Sequence, residues 1–207
     1  MFNLSQTILE LTIWLPPFLL ALTCHELAHG YVAYALGDPT AKIAGRLTMN
    51  PIKHIDPMGA LIFIVAKIGW AKPVPVNPNY FRNPRQGMLL VALAGPGANI
   101  ALAIISAILF KTIAKLFIIP AFVLVPLVNM LYACVVINFI LAAFNCLPIP
   151  PLDGSKVLMS LLPPDMAATY SKSGPIGMIV LLILCATDYI SRFIDPIIVF
   201  SHNLLLG

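Results

Sequence analysis

The amino-acid sequence predicts an all-α polytopic membrane protein with three long apolar helices. One or two further membrane helices, a short re-entrant segment and an extended, proline-rich, membrane-associated loop complete the expected fold. Three observations carry this expectation. Of 207 residues, 60% are hydrophobic and 10% charged, with a mean hydropathy of +0.95, which suits a bilayer-embedded chain and not a soluble domain. Several apolar runs reach the roughly 20 residues that a helix needs to cross a bilayer. Proline-rich stretches separate those runs, where helices are expected to end.

The first run, Leu11 to Leu36, contains Pro16-Pro17 near its start and ends at Gly37-Asp38-Pro39, a stop signal. Residues 40–57 are polar and punctuated by prolines; Ala41 to Met49 is read as a short strand or a surface-lying segment. Gly59 to Trp70 is apolar but spans only about 18 Å of a roughly 30 Å hydrocarbon core, so it is expected to re-enter. Ala71 to Pro84 has prolines at short intervals and reads as extended backbone, which at membrane depth must be shielded by protein or line a wet cavity. The second run, Gly87 to Phe110, includes A-G-P-G-A-N, whose small residues permit close helix packing and whose Asn99 sets an amide inside the bundle. The third, Pro120 to Phe144, runs into N-C-L-P-I-P-P-L-D-G-S, where prolines break the helix. A fourth runs from Ile176 to Ala186 and continues after Asp188 towards Phe200.

Composition also excludes functions. The net charge of +4 is modest and the twelve Lys and Arg are scattered, so no nucleic-acid partner is expected. Cys24, Cys134, Cys146 and Cys185 show no C-x-x-C spacing and read as small buried hydrophobes. No basic region or cleavage site precedes the first run, so it is expected to remain in the mature chain. The length suits a single integral-membrane domain, residues 1–207.

One stretch of the first run is chemically out of place. Thr23 to Gly30 reads T-C-H-E-L-A-H-G, and His25, Glu26 and His29 form H-E-x-x-H. On a helix both histidines share one face and can reach a single Zn²⁺, while Glu26 projects beside them as a general base without occupying a coordination site. Three ionisable groups within five residues at membrane depth are costly unless they are functional. Catalytic zinc takes three protein ligands, so one more is needed. Asp153, in P-P-L-D-G at a helix break, is the best candidate; the competing role is a simple N-cap of a helix from Gly154 to Leu162. Substrate binding is assigned to Asn99 and Asn145, with interhelical hydrogen bonding as the equal alternative. His54, in K-H-I-D-P, is read first as a surface histidine beside Asp56, with an accessory role as oxyanion donor or alternative ligand left open.

Together, H-E-L-A-H-G, G-R-L-T-M-N-P-I-K-H-I-D-P-M-G, G-W-A-K-P-V-P-V-N-P, A-G-P-G-A-N and N-C-L-P-I-P-P-L-D-G resemble the compact branch of the site-2 protease family, intramembrane zinc metalloproteases. The resemblance implies a three-helix metalloprotease core, one Zn²⁺ held by His25, His29 and Asp153, and Glu26 as catalytic base. It places Asn145 at the position that holds substrate backbone or the oxyanion. It also implies a lipid bilayer as surroundings and, as substrate, a membrane protein with a transmembrane segment. No PDZ or nucleotide-sensing module is expected, and the sequence sets no oligomeric state. A metal-binding membrane scaffold or a metal transporter is the alternative from another class; a transporter would repeat its ligands along a path.

Charge bias tests the topology independently. A re-entrant Gly59 to Trp70 puts Lys42, Arg46, Lys53, Lys72, Arg82, Arg85, Lys156 and Lys172 on one side, against Lys111, Lys115 and Arg192. The positive-inside rule makes the first side cytoplasmic, with the N-terminus outside, the site near the cytoplasmic face and the cell membrane as location. Only this topology brings Asp153 to the same face as His29. Cysteines placed at Asn79 and Lys156 are expected to react with an impermeant maleimide from the same side; labelling from opposite sides would overturn the topology.

Overall fold

The computed structural model describes residues 4–66, 69–113, 115, 120–187 and 189–206. Three long helices dominate: α1 (Leu4–Ala35), α4 (Pro84–Ile113) and α5 (Ala121–Asn145). Each is long and apolar enough to cross a membrane. Between α1 and α4 lie the short helices α2 (Thr40–Ile43) and α3 (Pro57–Ala66); after α5 come α6 (Asp153–Leu161), α7 (Pro164–Ser171), α8 (Gly174–Ala186) and α9 (Tyr189–Ser201). Helices α7 and α8 meet at 58° and count as a fourth span if taken together. Asp188 of the fourth run lies outside the described residues, as do residues 67–68 of the re-entrant stretch.

Helices α1, α4 and α5 pack against one another, and α6 docks on α4. Small side chains set the spacing. Ala21, Ala33, Ala92, Ala103, Ala107, Ala133 and Ala142 are buried, while Leu11, Leu15, Ile104, Ile105, Ile108 and Phe122 face outward. This is the arrangement expected where lipid, not water, surrounds the bundle and close backbone approach supplies the packing energy. The first helix begins at Leu4, ahead of the expected Leu11, so Pro16 and Pro17 fall inside it. They remove the donors for carbonyls at positions 12 and 13.

Between α1 and α4 the chain forms a loop layer over the cytoplasm-proximal end predicted from charge. Ala41 to Met49 is not a strand; it forms α2 and then turns. Helix α3 leaves at Pro57, and the chain is back beside its start by Ala71, which bridges antiparallel to Ile55. Lys72 N–H donates to the His54 carbonyl at 3.0 Å. A segment whose two ends are paired cannot cross the bilayer, so it is re-entrant. Beyond it, 71–77 is extended with the 3₁₀ turn Pro78–Tyr80 following.

Asp38 joins this layer to α1. Its carboxylate is buried and accepts from the Thr40 N–H at 2.9 Å, from the Thr40 hydroxyl, and from the Asn77 N–H at 2.7 Å. Burial alone would push the carboxyl up, but the donors from Thr40 and Asn77 outweigh it and hold Asp38 below its ordinary value. A lowered folded-state value makes the contribution full above about pH 3.8 and lost as pH falls through the folded-state value. Asp38→Ala leaves two buried N–H groups unpaired and is expected to cost about 2–3 kcal/mol. Thermal unfolding of the two proteins in detergent at pH 7 should show it, with the gap closing at low pH; an unchanged midpoint would refute the tie.

Candidate metal centre

Four residues apart on α1, His25 and His29 turn their rings into the bundle, edge to face with centroids 4.6 Å apart. Helix α5 ends at Asn145, and residues 146–152 swing back to deliver Asp153 as the first residue of α6. Its carboxylate Oδ2 stands 3.0 Å from Nε2 of His25 and 3.0 Å from Nε2 of His29; the two nitrogens are 3.1 Å apart. All three side chains are buried. The other oxygen, Oδ1, accepts from the Lys156 ammonium at 2.9 Å.

The far ring nitrogens fix what the near ones can do. Nδ1 of His29 faces the Val91 carbonyl at 2.7 Å, and Nδ1 of His25 faces Oδ1 of Asn99 at 2.6 Å. Both are acceptors, so each Nδ1 carries the proton and each Nε2 presents a lone pair inward. Asn99 is itself anchored: Nδ2 donates to the Ala21 carbonyl at 3.2 Å and to Oδ1 of Asn138 at 2.7 Å, and Asn138 donates on to the Cys134 carbonyl at 2.7 Å.

Two nitrogen lone pairs and a carboxylate oxygen thus meet with no donor among them. A divalent cation satisfies all three. Donors about 2.0–2.1 Å from tetrahedral zinc stand about 3.3 Å apart, within a few tenths of the spacing observed. Gly95 of α4 keeps the space open, since a Cβ there would lie 2.5 Å from Nε2 of His29 and 2.6 Å from Nε2 of His25. The residues therefore fit one zinc ion.

Glu26 lies on the neighbouring face of α1, part-buried, and its Oε2 accepts the Val74 N–H of the extended segment at 2.9 Å. Asn145 closes α5, its Nδ2 donating to the Leu141 carbonyl at 2.9 Å, with its carbonyl oxygen directed elsewhere than to that bond. The amide of Asn99 is occupied by His25, Ala21 and Asn138. His54 differs from its expected surface position: it is fully buried in the loop layer, with Nε2–H donating to the Thr48 carbonyl at 2.9 Å and Nδ1 facing Arg46. The reason is local. Its ring bonds back to Thr48 while its carbonyl holds the returning chain at Lys72, which solvent exposure would forfeit. The sequence marks Gly95 only as a packing residue and Arg46 only as one of the charges on one side, and gives Asn138 no role; an amide inside an apolar run, as at Asn138, is the signal that could have marked it.

A helix bundle of membrane-spanning length holding an H-E-x-x-H pair and a converging carboxylate as third ligand has the make-up of an integral-membrane metallopeptidase. Residues 15–185 match peptidase family M50. The chain belongs to that family, the site-2 proteases. It is 41% identical over 182 residues to "Putative zinc metalloprotease YwhC" of Bacillus subtilis, covering 87% of this chain and 83% of that protein. Rip2 of Mycolicibacterium smegmatis, which carries the same description, is 28% identical over 85% of this chain and 67% of its own length. Rip2 of Mycobacterium tuberculosis is 29% identical over 81% and 64%. No solved structure matches the chain.

Zinc content decides the fit. Wild type is expected to retain about one zinc per chain, and Asp153→Ala and Gly95→Ala to lose about 10–100-fold or more in affinity, the first by removing a donor and the second by filling the cradle. Undiminished zinc in both variants would refute the centre.

Proposed function

We propose that this protein is an intramembrane zinc endopeptidase that hydrolyses peptide bonds within or near transmembrane segments of other membrane proteins. The observation that carries the proposal is the juxtaposition of the His25, His29 and Asp153 cluster, built on the membrane-length helix α1 and the start of α6, with a carboxylate on the adjacent face of α1 and an extended main chain touching it. Family M50 membership supports the metallopeptidase chemistry. Charge bias supports a site near the cytoplasmic face of the cell membrane.

When bound, zinc supplies Lewis acidity toward a carbonyl and lowers the pKa of a water molecule towards neutrality. The chain does the rest. His25 and His29 hold their Nε2 lone pairs inward because Asn99 and the Val91 carbonyl hold their Nδ1 protons. Glu26 takes a proton from the attacking water at Oε1 or Oε2 and returns it to the leaving amine. Asn99 acts here as a positioning residue for His25, and Asn145, at the mouth of the 146–152 loop, as a holder of substrate backbone. A peptide bond in a helix is concealed by its own hydrogen bonds, so the substrate must unwind before it can lie along the extended 71–77 segment.

Glu26→Gln keeps the shape of the side chain but cannot accept a proton. It is expected to retain zinc and to lose about 10²–10⁴-fold in cleavage of a reconstituted single-span substrate. Cleavage at the wild-type rate would refute the general-base assignment, and loss of zinc would move Glu26 into the metal-binding set.

A further inference from the structure

Arg46 is a buried cation, 5% exposed, with no carboxylate at ion-pair distance among the described residues, although Glu26 is near enough to act on its charge. Such a group is costly unless it is hydrogen-bonded, so what it holds is informative. Its Nη1 donates to the Pro73 carbonyl at 3.1 Å and its Nη2 to the Lys72 carbonyl at 2.6 Å, with Nη2 also 3.4 Å from Nδ1 of His54. The Nε–H has no hydrogen-bond partner among the described residues. His54 braces the other side, since its ring donates to Thr48 and its carbonyl accepts the Lys72 N–H. The position of Arg46 is set by Gly45, whose φ of +64° lets α2 close with Gly45 N–H on the Lys42 carbonyl and Arg46 N–H on the Ala41 carbonyl.

The held segment has an unusual donor pattern. Pro73 and Pro75 have no N–H, and the Lys72 N–H is spent on His54. Between Lys72 and Pro75, Val74 alone has a main-chain donor to offer, and it lies on Oε2 of Glu26 at 2.9 Å. Rotating the segment by one residue would put a proline at the base.

We propose that Arg46, braced by His54, is a positioning residue for substrate binding: by gripping the Lys72 and Pro73 carbonyls it sets the register that presents the Val74 N–H, beside Glu26, to a carbonyl of an unwound substrate peptide. The inference rests on the peptidase reading above. The arriving carbonyl competes with Glu26 for this donor, so alignment of the peptide and release of the base are one event. The grip acts on binding of the extended peptide and not on the metal.

The test uses the full chain in detergent with zinc, as wild type, Arg46→Ala and Arg46→Lys. Arg46→Ala is expected to keep its zinc while amide exchange at Lys72 and Val74 speeds up about 10-fold or more. For a single-span peptide carrying an Asn-Pro helix break, KM should rise about 10-fold with kcat within about 2-fold. Arg46→Lys, which keeps the charge but reaches one carbonyl, should fall between the two, and it carries the test if the alanine variant does not fold. Unchanged exchange at both amides, a fall in kcat at constant KM, or zinc loss in both variants would each overturn the proposal. If wild type cleaves no such peptide, the peptidase reading fails, while the exchange measurement still decides whether Arg46 holds the segment.

Discussion

Three lone pairs aimed at one point inside an apolar bundle repel one another unless a cation lies between them, and the architecture depends on this constraint. Nε2 of His25, Nε2 of His29 and Oδ2 of Asp153 come from residues 128 apart in sequence, yet lie within 3.1 Å of each other. Assembling them apo concentrates unfavourable electrostatics in a low-dielectric interior; assembling them around zinc converts the same geometry into binding energy. Docking of α6 on α4 brings Asp153 to this point, so a bound metal would favour the same closure.

A second constraint is imposed by the bilayer. Non-helical backbone at membrane depth must find its hydrogen bonds within the protein. The loop layer does so with side chains from polar positions: Asp38 takes N–H groups from Thr40 and Asn77, Arg46 takes carbonyls from Lys72 and Pro73, and Glu26 takes the Val74 N–H. Asp38 and Arg46 are thus counterparts, an acceptor and a donor that pin opposite ends of one extended segment. Glu26, the proposed base, belongs to the same network, so it is oriented by the element proposed to receive substrate.

Much of this was legible in the sequence because membrane physics is strict. Apolar run lengths gave α4 and α5 to within a few residues, and the shortness of Gly59 to Trp70 identified a segment that returns to its own side. The H-E-x-x-H spacing and the missing third donor pointed to Asp153, which the structure brings to within 3.0 Å of both histidines. What was illegible depends on long-range partners. Nothing local distinguishes an amide that would grip substrate from one that orients a ring, so the Asn99 to His25 bond across 74 residues could be seen only in the fold. His54 was misplaced for a related reason: beside Lys53 and Asp56 it looks solvated, but a returning loop covers it. Helix α1 starts at Leu4, seven residues ahead of the apolar run, because helical backbone continues through the more polar residues before Leu11, where hydropathy alone marks no start.

The donors around the site also bear on how a helix bundle built for close packing can admit a peptide. Rigid elements hold the metal side: His25 is fixed by Asn99 and Asn138 on α4 and α5, and His29 by a main-chain carbonyl of α4. On the opposite side Glu26 meets an extended segment linked to the bundle mostly by side-chain hydrogen bonds, which can be exchanged one for one with those of an incoming strand. Breaking the Val74 to Glu26 bond exposes a donor and an acceptor together, and an unwound peptide carries a matching carbonyl and N–H. A helical peptide has both groups occupied and gains nothing by the exchange. In the proposed peptidase, selection for locally unwound segments would thus follow from hydrogen-bond exchange at one edge, without any recognition of side chains, and the rigid metal side need not move for it to operate.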